Sequence, residues 1–127
     1  MVKVTVNERC RNAPKKEFVR DFIIAIVKGD ASAAANNATD DITWHIVGGR
    51  TVTGKQAVLA ELQHSRGKEV QELIITTIVT HGYDGVADGL LKYRNGKSVA
   101  FCDIYSFRAS TNNAPIKAIR SYTMPST

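Results

Sequence analysis

A chain of 127 residues can build one hydrophobic core and is too short for two. Apolar residues at 43% and charged residues at 23% are ordinary for a globular domain, and the longest apolar run, Phe22 to Val27, is far short of a membrane span. The net charge of +5 is spread thinly from Lys15 to Arg120, with no Lys/Arg cluster interleaved with stacking aromatics, so neither nucleic acid nor membrane is expected as a partner.

Residues 1–12 are polar and basic and read as a flexible N-terminal arm. A single domain is expected over 13–124, with 125–127 as a tail. The arm carries no apolar leader, and the two cysteines, Cys10 and Cys102, read as free thiols, which together suggest a cytoplasmic protein. Asn12-Ala13-Pro14 is a helix entry, and Phe18, Phe22, Ile23, Ile26 and Val27 recur at helical spacing up to Gly29. Asp30 can cap a short second helix over 31–36. Asp41–Val47 alternates as a strand, with Ile42, Trp44 and Ile46 on one side and Thr43 and His45 on the other. Gly48-Gly49 turns the chain into a short return strand, Arg50–Val52. Thr53-Gly54-Lys55-Gln56 has capping-box spacing before a helix that runs to about Ser65 and ends at Arg66-Gly67-Lys68. Four strands follow, over Val70–His81, Val86–Arg94, Ser98–Phe107 and Ile116–Met124. Asp84-Gly85 and Asn95-Gly96 are hairpin signals between them. Helices followed by an antiparallel meander predict an α+β fold, with the helices on one face of a curved sheet.

The third of these strands carries the most informative residue. Phe101, Asp103, Tyr105 and Phe107 share a parity, so one carboxylate sits on an otherwise apolar face. A buried carboxylate must be paired, hydrogen-bonded or protonated. If both hairpins have two-residue turns, Asp88 falls opposite Asp103 and His81 opposite Asp88. The three then form a row across neighbouring strands. Two carboxylates about 5 Å apart cannot both ionise cheaply, which would suit Asp103, Asp88 and His81 to acid–base chemistry. A single bulge would undo the row. Asp103 can equally accept hydrogen bonds from Tyr105, Tyr122 or the backbone. No spacing of His, Cys, Asp or Glu suggests a metal, and no phosphate-binding glycine loop is present, so no cofactor is expected.

The helix ending in Lys28-Gly29-Asp30, the stretch Thr39–Val58, the strand VAFCDIYSF and the closing IKAIRSYTM resemble the nuclear transport factor 2-like, or SnoaL-like, superfamily over nearly the whole domain from Phe18. The resemblance implies a cone: a curved antiparallel sheet wrapped around about three N-terminal helices, with an apolar pocket open at one end. It also implies a homodimer formed through the outer face of the sheet. In ketosteroid-isomerase-like members a catalytic base and a tyrosine donor fall where this chain has Ile46 and Phe22. Only their late-strand carboxylic acid has a counterpart, Asp103, so steroid-isomerase chemistry by that route is not expected. The arginine and two acids of epoxide-hydrolase-like members find no convincing match, whereas a SnoaL-like proton shuttle needs one acid. The candidate ligand contacts are Phe22, Trp44, Ile46, Leu59, Phe101, Tyr105 and Tyr122. The reading that follows is a cone that binds a small apolar ligand. The alternatives are an acid–base enzyme (isomerase, polyketide-cyclase-like or hydrolase) using Asp103, and a dimeric protein-interaction module.

Overall fold

The structure is a computed structural model that describes residues 2–126. In chain order it contains β1 (Lys3–Val6), α1 (Pro14–Lys28), α2 (Ala31–Asn36), β2 (Ala38–Ile46), β3 (Thr51–Thr53), α3 (Lys55–Arg66), β4 (Val70–His81), β5 (Asp84–Tyr93), β6 (Ser98–Phe107) and β7 (Ile116–Ser126). The strands form one sheet in the order β1-β4-β5-β6-β7-β2-β3. It is mixed rather than purely antiparallel, because β1 pairs in parallel with β4 and β2 with β7.

Local chemistry explains the helix boundaries. Pro14 occupies the first turn of α1, where a missing N–H costs nothing. Gly29, at φ 78°, ends the helix in the left-handed conformation, with its amide on the Ile26 carbonyl and the next amide, of Asp30, on that of Ala25. Asp30 Oδ1 then accepts from the Ala33 amide and caps α2. The capping box expected at Thr53 does not form: Thr53 closes β3, and Gly54 precedes α3 with no side-chain cap. The apolar stripe of α1, from Val19 through Phe22, Ile23 and Ile26, lies against the inner face of the sheet and joins a single core with α3. Lys15 on the same helix is buried too, donating to the Gly82 and Ala109 carbonyls with its ammonium over the Phe107 ring.

Two expectations need correction here. The N-terminal segment is not simply an arm, because Lys3–Val6 add a strand to the sheet edge and Glu8 accepts from the Ile78 amide. The hairpin turns also differ. His81 pairs with Asp84 across Gly82-Tyr83, and Tyr93 bonds Lys97 across the three residues Arg94-Asn95-Gly96. A three-residue loop with glycine in the left-handed region, as Gly96 is at φ 87°, is as natural for Asn-Gly as a two-residue turn. The extra residue shifts the register by one, so Ala87 faces Asp103 and Asp88 faces Cys102. The Gly82-Tyr83 turn sets Thr77 opposite Asp88, and a bulge at Thr76 shifts the register only beyond that pair, bringing Ile75 opposite Gly89. The row through the inner face is therefore Ile78–Ala87–Asp103–Ser121. The proposed row of His81, Asp88 and Asp103 does not exist.

Candidate functional site

Asp103 is fully buried, and its partner is Arg66, the last residue of α3 and itself only 8% exposed. Arg66 donates from Nη1 to Oδ2 at 2.5 Å and from Nη2 to Oδ1 at 2.9 Å, a parallel two-point pairing. Tyr105 donates its hydroxyl to Oδ2 at 3.1 Å, and Ser121 donates to Oδ1 at 2.7 Å. The Trp44 indole N–H donates in turn to the Ser121 oxygen at 2.8 Å, which fixes the direction of the serine's own hydrogen bond. The guanidinium lies over the rings of Phe101 and Trp44, 5.2 and 5.6 Å from their centroids.

The electrostatics follow from that geometry. Burial opposes the charge of Arg66, but the adjacent Asp103 carboxylate outweighs it and holds the guanidinium pKa above its ordinary value. Burial, reinforced by the Asp103 charge, pushes the Tyr105 hydroxyl well above the ordinary tyrosine range, so it is a neutral donor at any physiological pH. Four donors converge on the two Asp103 oxygens and occupy their lone-pair directions. Asp103, expected as a proton donor or shuttle, is thus placed by these contacts as an acceptor of four hydrogen bonds.

The site borders an internal cavity of about 20 Å³, lined by Phe22, Ile23, Ile26, Val27, Leu62, Arg66, Leu73, Leu91, Phe101, Asp103, Tyr105 and Ile119. That volume holds about one water molecule. Of the predicted ligand contacts, Phe22, Phe101 and Tyr105 line it, and Trp44 sits one hydrogen bond away behind Ser121. Leu59 instead lines a groove between α2 and α3, and Ile46 is half-buried at the end of β2. Tyr122 is on the outer face of the sheet, where its hydroxyl accepts from Arg120 Nε rather than bonding Asp103. Asp88 shares that outer face with Cys102 and Tyr122. His81 is exposed at the end of β4. Among the described residues no group of His, Cys, Asp and Glu could hold a metal ion, and no helix is long and apolar enough to cross a membrane.

Sequence reasoning missed Arg66, reading it as part of a helix terminator. The signal was present, because Val58, Leu62 and Arg66 are four residues apart and continue one buried helix face. An arginine standing where the next apolar residue belongs is the natural counter-ion for a carboxylate on an apolar strand. Ser121 was hidden by the unresolved parity of the last strand, which also left Tyr122 as the apparent donor.

No family model matches the sequence, and no curated protein matches it either. Solved structures do match in fold. One is an NTF-2 like protein of unknown function from Burkholderia xenovorans, with a TM-score of 0.77 and 20% identity over 94% of this chain and 89% of that one. A second is a candidate SnoaL-like polyketide cyclase from Shewanella denitrificans, with a TM-score of 0.71 and 16% identity over 89% and 92% of the two chains. A third is a de novo designed protein with a curved sheet, with a TM-score of 0.73 and 17% identity over 87% and 84%. The chain thus has the NTF2-like α+β cone fold. A fold shared with a designed protein carries no activity of its own, and function must be argued from the site.

Proposed function

From the premise of an NTF2-like cone, we propose that this protein binds a small apolar ligand inside the cone, with Arg66 as its polar contact. The observation that carries this reading is the buried Arg66–Asp103 pair at the wall of an otherwise apolar cavity. Well-packed hydrophobic side chains in its place would serve stability as well or better, so the pair is a weak device for stability alone. Only two of the five guanidinium N–H groups are engaged among the described residues, both by Asp103. The remaining donors are available to a guest, which enters by parting the apolar side chains around the cavity. The two free thiols suit a cytoplasmic location.

Acid–base catalysis by an isomerase, cyclase or hydrolase route has less support, because the only acid at the cavity is saturated with donors. Fluorescence of Trp44, the single tryptophan, provides the test. Apolar small molecules titrated into the protein should perturb it, and the double variant Arg66→Met/Asp103→Leu should weaken their binding about tenfold. Unchanged affinity in that variant would remove the reading.

A second reading, a homodimer through the outer sheet face, rests on a separate observation. Oδ1 of Asp88 is buried there with no hydrogen-bond partner, beside exposed Val79, Tyr122 and Met124. A second copy would cover the apolar side chains, and its Arg120, borne on the same face, would supply the missing donor.

A further inference from the structure

The groove between α2 and α3, about 470 Å³ in volume, has an apolar floor and opens to solvent. Its walls include Ala34 of α2, Leu59 and Ala60 of α3, and Ile26 of α1. Ile26 also lines the internal cavity at Arg66. Ile26 is thus the residue that borders both an external apolar groove and a cavity that ends in a guanidinium with unengaged donors.

We propose that the groove and the cavity are the two halves of one ligand site and that Ile26 is the gate between them. This rests on the reading of the cone as a ligand-binding domain and adds its route of entry, the residue that controls it and the class of ligand. The gate is a single isoleucine and the cavity beyond it is about 20 Å³, so the end of the guest that enters is slender rather than a fused ring. Its polar end is an oxygen acceptor, because the guanidinium N–H groups left over from the Asp103 pairing are donors. That end is uncharged, because Arg66 and Asp103 already neutralise each other, and a carboxylate added to this interior would be a buried charge without a counter-ion. The ligand class is an unbranched aliphatic compound with an uncharged carbonyl near one end. The aliphatic part lies along the alanine-lined groove, and the carbonyl oxygen accepts from Arg66.

The test uses the full chain and four probes followed by Trp44 fluorescence: methyl heptyl ketone, octanoate, cyclooctanone and octane. The ketone should bind about tenfold more tightly than each of the others. Ala60→Phe fills the groove from an exposed position and adds no tryptophan; it should weaken the ketone about tenfold with no change in melting temperature. Ile26→Ala should speed its association. If Ile26→Ala does not fold, the Ala60 variant carries the test. Ketone binding that ignores the groove variant but is lost in Arg66→Met/Asp103→Leu would overturn the gate while leaving the interior site standing. Octanoate or cyclooctanone binding as tightly as the ketone would overturn the proposed ligand class. Absence of binding by every probe, in the natural chain and in Ile26→Ala alike, would overturn the gate and the ligand-binding reading together.

Discussion

At the scale of single residues, the protein commits a full ion pair to a place where apolar side chains would pack. Removing one partner of such a pair leaves a buried charge unanswered, at a cost of about 3–5 kcal/mol, whereas replacing both by hydrophobic residues is close to neutral. Asp103→Asn should therefore be strongly destabilised in urea unfolding, and Arg66→Met/Asp103→Leu should recover most of the loss. A nearly neutral single variant would mean that the pair is solvated in solution. Tyr105 adds a pH dependence of defined sign. Its pKa is raised in the folded protein, first by burial and then by the Asp103 charge. Its contribution is therefore complete below the unfolded value of about 10 and is lost as pH climbs toward the folded value. The pKa of Arg66 is also raised, but from the much higher ordinary arginine value, so its effect begins only at higher pH. Melting temperature should fall above about pH 10, and less steeply in Tyr105→Phe.

At the scale of elements, glycines and bulges decided which face each side chain reached. The glycine of Asp84-Gly85 looked like a turn residue, but it lies within β5, where a Cβ would come 3.2 Å from the Phe107 ring. Gly89 is a packing glycine as well, since a Cβ there would collide with the Ile74 carbonyl oxygen. Composition cannot distinguish a glycine that turns the chain from one that makes room for a neighbour. The N-terminal strand was legible locally, because Val2, Val4 and Val6 alternate with Lys3 and Thr5. Only its pairing partner, β4, lies far along the chain. Glu8 secures this edge by accepting from the Ile78 amide and from Lys16, which lowers its pKa in that order of importance. A lowered carboxyl pKa means that the contact is present above about pH 4.5 and is lost on acidification. Glu8→Ala should lower the exchange protection factors of the Ile78 amide and of β1 at neutral pH, and acidification should lower the same protection factors in the natural chain. Equal exchange in variant and natural protein would show that the strand holds without this contact.

At the scale of the whole molecule, the sheet has two working faces. The inner one closes on the ion pair, and the outer one carries Val79 at 55%, Tyr122 at 43% and Met124 at 69% exposure around the unpartnered Asp88 oxygen. If a second copy covers that face, sedimentation equilibrium should give a dimer, and Met124→Glu should shift it to monomer without altering the melt of the isolated subunit. A natural chain that is monomeric at high micromolar concentration would rule this interface out. Asp88→Ala should then be tested beside it, because relief of an unpartnered carboxylate predicts a more stable monomer.

What the sequence determined by itself was everything written in local periodicity and composition: the three helices and their caps at Pro14, Gly29 and Asp30, the late strands, the α+β class, and an apolar strand face that required Asp103 to have a partner. Tertiary structure alone decided who that partner is. Arg66 and Asp103 are 37 residues apart, on elements that meet only once α3 has packed onto the sheet. Asp88 was carried to the opposite face by one extra turn residue. A pleat repeats every two residues, so a shift of one is small in local energy and complete in consequence, and only the packed sheet chooses between the two registers.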